Sequence, residues 1–107
     1  PVPVLTESIE LVFQELFIPN SFSPNGDGIN DLFVISGIDA FPDHRLIVYN
    51  RWEQKVYETK NYQNDWDGAP NMSYGDNSKL LPEGVYFYFF EESEGGKLHK
   101  GFIYIKR

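Results

Sequence analysis

The run Gly84-Val85-Tyr86-Phe87-Tyr88-Phe89-Phe90-Glu91 places five aromatic residues in succession behind a glycine. Residues of this kind favour the pleated backbone of a strand. Gly84, Val85 and Tyr86 open the strand and Tyr88 follows two places on, the spacing of an immunoglobulin-type tyrosine corner, in which the phenol bonds back across the preceding loop. Because strand side chains alternate between faces, Tyr86, Tyr88 and Phe90 are expected to point inward and Phe87 and Phe89 outward. An uncovered outer pair would form an apolar stripe of the kind that marks a contact surface. Alternatively, a large loop over residues 61–81 folds across it.

Working outward, residues 98–106 form a second strong strand, reached through a turn containing Gly95 and Gly96. Upstream, residues 10–18 read as a strand stopped by Pro19, and residues 31–36, 45–50 and 55–59 as short strands, the last two joined as a hairpin across residues 51–54. Residues 20–31, with Pro24, Gly26 and Gly28 among Asn, Asp and Ser, read as one long structured turn, and residues 62–82 as mostly loop. No segment has helical periodicity of useful length. The expected fold is all-β, an immunoglobulin-like antiparallel β-sandwich of about seven strands. Residues 1–9 read as a linker or the end of an upstream domain, and residues 10–107 as a single C-terminal domain.

Composition narrows the function classes. A chain of 107 residues can bury one modest core, and nine Phe, seven Tyr and two Trp supply it generously. The net charge of −7 argues against a nucleic-acid partner held through phosphate contacts. With no cysteine there is neither a disulfide framework nor a thiolate metal site. No apolar run approaches a membrane span, and the opening at Pro1 suggests a piece of something larger. Lys97, Lys100, Lys106 and Arg107 share the last eleven residues with no acid, leaving five bases to face all sixteen acids in the rest. Such an end is either a strand whose solvated lysines discourage edge pairing or an address presented at the terminus.

Catalysis has little support. The two histidines, His44 and His99, lie beside charged residues at strand edges and read as solvated surface side chains, with no nucleophile elbow nearby. Among sixteen acids some carboxylates will pair by chance, but nothing suggests the walls of a sugar cleft. The chain is expected not to be an enzyme.

The segment from Asn25 to Asp31 is different, because Asn25, Asp27 and Asp31 put three oxygen-bearing side chains at alternate positions, a spacing that could hold calcium. The segment fails the EF-hand template, since Ile29 takes a ligand place and no bidentate Glu closes the loop. The other reading is an Asx-rich turn whose side chains accept main-chain N–H bonds and whose glycines supply positive φ. No other cofactor is indicated. Trp52, Trp66 and the surplus tyrosines admit a carbohydrate-binding or adhesive module as an alternative function, although most such rings are expected in the core.

The decamer Phe22-Ser23-Pro24-Asn25-Gly26-Asp27-Gly28-Ile29-Asn30-Asp31 closely resembles the opening signature of the gliding-motility-associated C-terminal domain, the type B sorting domain of the type IX secretion system. The resemblance continues through Val48-Tyr49-Asn50-Arg51-Trp52, Val56-Tyr57, Trp66-Asp67-Gly68, Leu81-Pro82-Glu83-Gly84-Val85-Tyr86-Phe87-Tyr88 and Lys100-Gly101-Phe102 to Lys106-Arg107. It implies a secretion signal in which Phe22, Pro24, Asn25, Gly26, Asp27, Gly28, Asn30 and Asp31 form the motif and Trp52, Trp66, Gly84 and Tyr86 are structural. It implies a large passenger in cis, such as a gliding adhesin, carried through the periplasm and outer membrane to the cell surface or medium. The expected partners are the type IX translocon and an outer-membrane barrel or shuttle protein, meeting a monomer. A terminal strand offers main-chain edge groups and a basic tip, so Gly101, Phe102, Lys106 and Arg107 are the candidate recognition residues. One departure is Glu53, where the family usually has Gly after the Trp, which leaves the form of that hairpin turn open.

Overall fold

The computed structural model describes residues 16–71 and 81–107. The proposed linker, most of the strand expected over residues 10–18 and the segment 72–80 lie outside them. Among the described residues five strands, β1 (Ser21–Phe22), β2 (Arg45–Tyr49), β3 (Lys55–Lys60), β4 (Gly84–Glu91) and β5 (Leu98–Ile105), form one sheet in the order β1-β5-β4-β2-β3. Helix is confined, among the described residues, to a 3-10 turn at Ile38–Ala40.

The all-β expectation holds, and so do the two hairpins, β2–β3 and β4–β5. The seven-strand antiparallel sandwich is not what the described residues form. The sheet is mixed, because β1 runs parallel to β5, with Ser21 opposite Tyr104 and Phe22 opposite Ile105. The segment expected as a strand over residues 31–36 has no ladder. Its backbone is satisfied piecemeal: the Phe33 N–H donates to the Trp66 carbonyl, the Ile35 N–H to Asn64 Oδ1, and Ser36 exchanges two bonds with Phe17. These extended segments form an irregular layer packed on the inner face of the sheet.

The core lies between that layer and the sheet. Phe33 and Ile35 meet Leu46, Val48, Phe90, Ile103 and Ile105, all essentially without solvent contact. Phe22, Phe33 and Trp66 pack at ring separations of 5.3–6.0 Å, two pairs tilted and one edge to face, arrangements that suit the ring quadrupoles. Tyr62 ties the irregular layer together, its hydroxyl donating to the Phe33 carbonyl at 2.6 Å and accepting the Trp66 N–H at 2.9 Å. Burial pushes the Tyr62 phenol pKa well up, and that of Tyr57 up to about 12, with Asp65 and Asp67 adding to both.

Tyr86 makes the corner that the sequence suggests, its hydroxyl donating to the Pro82 carbonyl at 2.8 Å. The facing of β4 also holds: Tyr86 and Phe90 are buried and Tyr88 packs against the core, whereas Phe87 is 42 % exposed on the outer face. The described part of the loop, residues 61–71, contributes Tyr62 and Trp66 to the inner face and so does not cover the outer stripe.

His44 corrects the expectation of a solvated side chain. It is 2 % exposed, with Nδ1 2.6 Å from the Phe41 carbonyl and Nε2 2.6 Å from the Tyr62 N–H. A carbonyl can only accept and an amide can only donate, so the ring is the neutral tautomer with its proton on Nδ1. It stacks on Phe90 at 5.1 Å. The signal lay in parity, since His44 falls on the same strand face as Leu46 and Val48. His99 is half-buried, with Nε2 2.7 Å from Glu92 Oε2.

Candidate functional site

The signature turn is organised around one carboxylate. Asp31 Oδ1 accepts the N–H groups of Asn25 and Gly26 at 3.1 and 2.9 Å, and Oδ2 accepts that of Gly28 at 2.6 Å. Asn25 Oδ1 accepts the Asp27 N–H and Asp27 Oδ1 the Ile29 N–H. Gly26, Gly28 and Asn30 have φ of 82°, 83° and 54°, in the left-handed region that glycine enters freely and asparagine more readily than most. A Cβ at either glycine would meet nothing within 4 Å, so the requirement is conformational rather than steric. The side chains that could ligate calcium thus face amide hydrogens, and among the described residues no three His, Asp or Glu gather as metal ligands. A cation at Asn25, Asp27 and Asp31 would share these oxygens with the amides they already accept.

Pro24 leads into a second centre, at Arg107. The Arg107 guanidinium donates to the Leu81 carbonyl through Nε at 2.7 Å and also through its second terminal nitrogen, which reaches the Gly68 carbonyl at 3.5 Å; Nη1 reaches the Pro24 carbonyl at 3.4 Å. This accounts for the Trp66-Asp67-Gly68 block. Trp66 is buried and its indole N–H donates to the Ala69 carbonyl, while a Cβ on Gly68, whose φ is 93°, would lie 2.9 Å from the guanidinium. The Arg107 N–H and the Tyr104 hydroxyl both donate to Glu83. Chiefly through the Arg107 amide, then the Tyr104 phenol and the charge of Lys106, the Glu83 carboxyl is held below the usual carboxylate range, while the Tyr104 phenol is raised by its bond to Glu83. Arg107 therefore carries a structural role that the sequence did not reveal, because its acceptors are main-chain carbonyls.

The other candidate recognition residues sit along β5. Gly101 lies opposite Tyr88, and a Cβ there would come within 3.0 Å of the Tyr88 ring, so the missing side chain makes room for an aromatic cross-strand neighbour. Phe102 is 49 % exposed and shares an outer-face row with Phe87 and Tyr49. Lys106 is exposed, and its N–H donates to the Phe22 carbonyl.

The two tryptophans separate. Trp52, expected to be structural, is 67 % exposed on the β2–β3 turn, with the Arg51 guanidinium 4.7 Å from its ring centroid. The turn itself is held by Asn50, whose Oδ1 accepts the N–H groups of Trp52 and Gln54 while the Glu53 N–H closes onto the Asn50 carbonyl. Glu53 has φ of 64°, so the turn keeps the conformation that suits glycine although glutamate occupies it. Gly84 begins β4 ahead of the Tyr86 corner.

Among known families, the model of the CHU_C type IX secretion signal domain matches residues 16–105. No curated protein and no solved structure matches the chain.

Proposed function

Because the chain belongs to the CHU_C type IX secretion signal domain family, and so carries a signal for export across the outer membrane, we propose that it sorts a large surface adhesin of gliding motility, held in cis, to the type IX translocon. The observation that carries this reading is the family match over residues 16–105, which spans the signature turn, Trp66 and both terminal strands. The domain acts as a monomeric, non-catalytic address. An outer-membrane barrel or shuttle protein reads β5, and Lys106 meets acidic groups on that partner. A full immunoglobulin-like sandwich would draw a further strand from residues 10–18, since residues 31–36 form no ladder. Calcium at the signature turn would be an additional ligand of the folded domain.

The test is a periplasm-targeted fluorescent reporter fused to the chain in a host with a working type IX system. Reporter outside the cell is the expected outcome. Truncation after Lys97 removes Ile103 and Ile105 from the core and so tests folding together with recognition. Lys106→Gln leaves the core intact and tests recognition alone, with reduced export expected. Retention of the intact fusion would overturn the reading and favour the alternative, a carbohydrate-binding module using exposed rings such as Trp52, which a sugar array would then test.

A further inference from the structure

The two edges of the sheet are finished differently. On β3, Asn71 stands in for a neighbouring strand: its N–H donates to the Val56 carbonyl, its Oδ1 accepts the Glu58 N–H, and its Nδ2 donates to the Glu58 carbonyl. On β5, the two residues of β1 cover only the far end of an eight-residue strand. The Tyr104 N–H bonds to the Asn20 carbonyl and the Lys106 N–H to that of Phe22. The even-numbered residues therefore aim their main-chain groups at this edge, and by alternation so do Leu98, Lys100 and Phe102. Among the described residues nothing pairs with those three. Continuing the parallel register of β1 backwards would bring Phe17 opposite Lys100, but Phe17 instead pairs with Ser36 and the chain leaves the edge at Asn20.

We propose that residues 98–102 of β5 accept an extended acidic strand from another polypeptide, added edge to edge, with an acidic residue opposite Lys100 and apolar residues opposite Leu98 and Phe102. The proposal deepens the sorting reading above by specifying how the partner engages β5. Charge selects the occupant. Lys100 lies at the centre of the open groups and Lys97 at one end, with no acid from residue 97 onward. The nearest acids on β4 and its turn, Glu91 and Glu92, are already engaged by Arg45 and His99, and in an antiparallel pairing of two copies centred on Lys100 the two ammonium groups would face each other, which disfavours self-association. The outer face supplies the apolar contacts, since Leu98 and Phe102 are each about half exposed there on either side of Lys100. Main-chain bonds would give affinity and the alternate side chains specificity.

The experiment uses the whole 107-residue chain and a seven-residue N-acetylated peptide with apolar residues at its second and sixth positions, glutamate at its fourth and threonine elsewhere. Amide hydrogen exchange with saturating peptide should slow at Leu98, Lys100 and Phe102, a pattern that docking of side chains alone would not produce. A peptide with lysine at the fourth position should bind about fivefold or more weakly, and Lys100→Glu, an exposed substitution that leaves the core intact, should reverse the preference. Absence of protection at the three amides, or a preference unchanged by Lys100→Glu, overturns the proposal. So does protection that appears only after residues 1–15 are deleted, because the chain's own N-terminal segment would then be the occupant. A fusion that exports the reporter yet shows no protection refutes this inference alone. One that binds the peptide yet stays in the periplasm refutes the sorting reading alone.

Discussion

Two turns in this domain are built on the same device and finished to different standards. In the signature turn Asp31 gathers three main-chain N–H groups, and in the β2–β3 turn Asn50 gathers two. The first places glycines at two of its left-handed positions, whereas the second places Glu53 at its own. An Asx side chain at the hub thus defines a turn whether or not the backbone is relaxed, and the glycines decide how much strain remains.

Substitutions can break that comparison from the hub outward. Asp31→Ala should have the largest effect, about 1.5–3 kcal/mol in urea denaturation, because three amides exchange a charged acceptor for water. Asn50→Ala should cost about 1–2 kcal/mol by the same measurement, since a neutral oxygen serving two amides is lost. Gly28→Ala should cost about 1–2 kcal/mol through backbone strain alone, with no clash to relieve. Glu53→Gly should run the other way and stabilise the domain by about 0.5–1 kcal/mol, raising its melting temperature. A Glu53→Gly variant no more stable than the parent would show that the glutamate side chain offsets the strain.

The smallest effect concerns acid. The folded Glu83 carboxyl has a lowered pKa, so its bonds to Arg107 and Tyr104 contribute stability above the unfolded value, and that contribution is lost as pH falls through the folded one. Melting curves taken from neutral pH down to acid should therefore show a shallower acid loss for Glu83→Gln than for the parent.

Much of this architecture was legible in the sequence because it rests on local chemistry. The Tyr86 corner, the inward parity of Tyr86 and Phe90, and the left-handed glycines of the signature turn each follow from neighbouring residues. What escaped reading depends on partners far along the chain. The β1–β5 pairing is parallel and has no connecting turn to announce it. His44 was obscured by charged neighbours at 43 and 45, though its parity with Leu46 was available. The segment 31–36 has the composition of a strand, yet its acceptors are Asn64, Trp66 and Phe17 rather than a ladder. The docking of the Arg107 guanidinium on main-chain carbonyls had no side-chain signal at all.

The bond from Arg107, just beyond β5, to Pro24 joins residues 83 apart in sequence, while β5 itself is paired along its whole length with β4 in a local hairpin. Loop closure over that separation costs little extra free energy but much time, because local pairings form before distant ones. The strand therefore has a fast edge, facing β4, and a slow edge, facing β1. During folding, residues 98–105 can pair with β4 as the hairpin forms, while the bonds from Tyr104, Lys106 and Arg107 to Asn20, Phe22 and Pro24 wait for the signature turn to arrive from the opposite end of the chain.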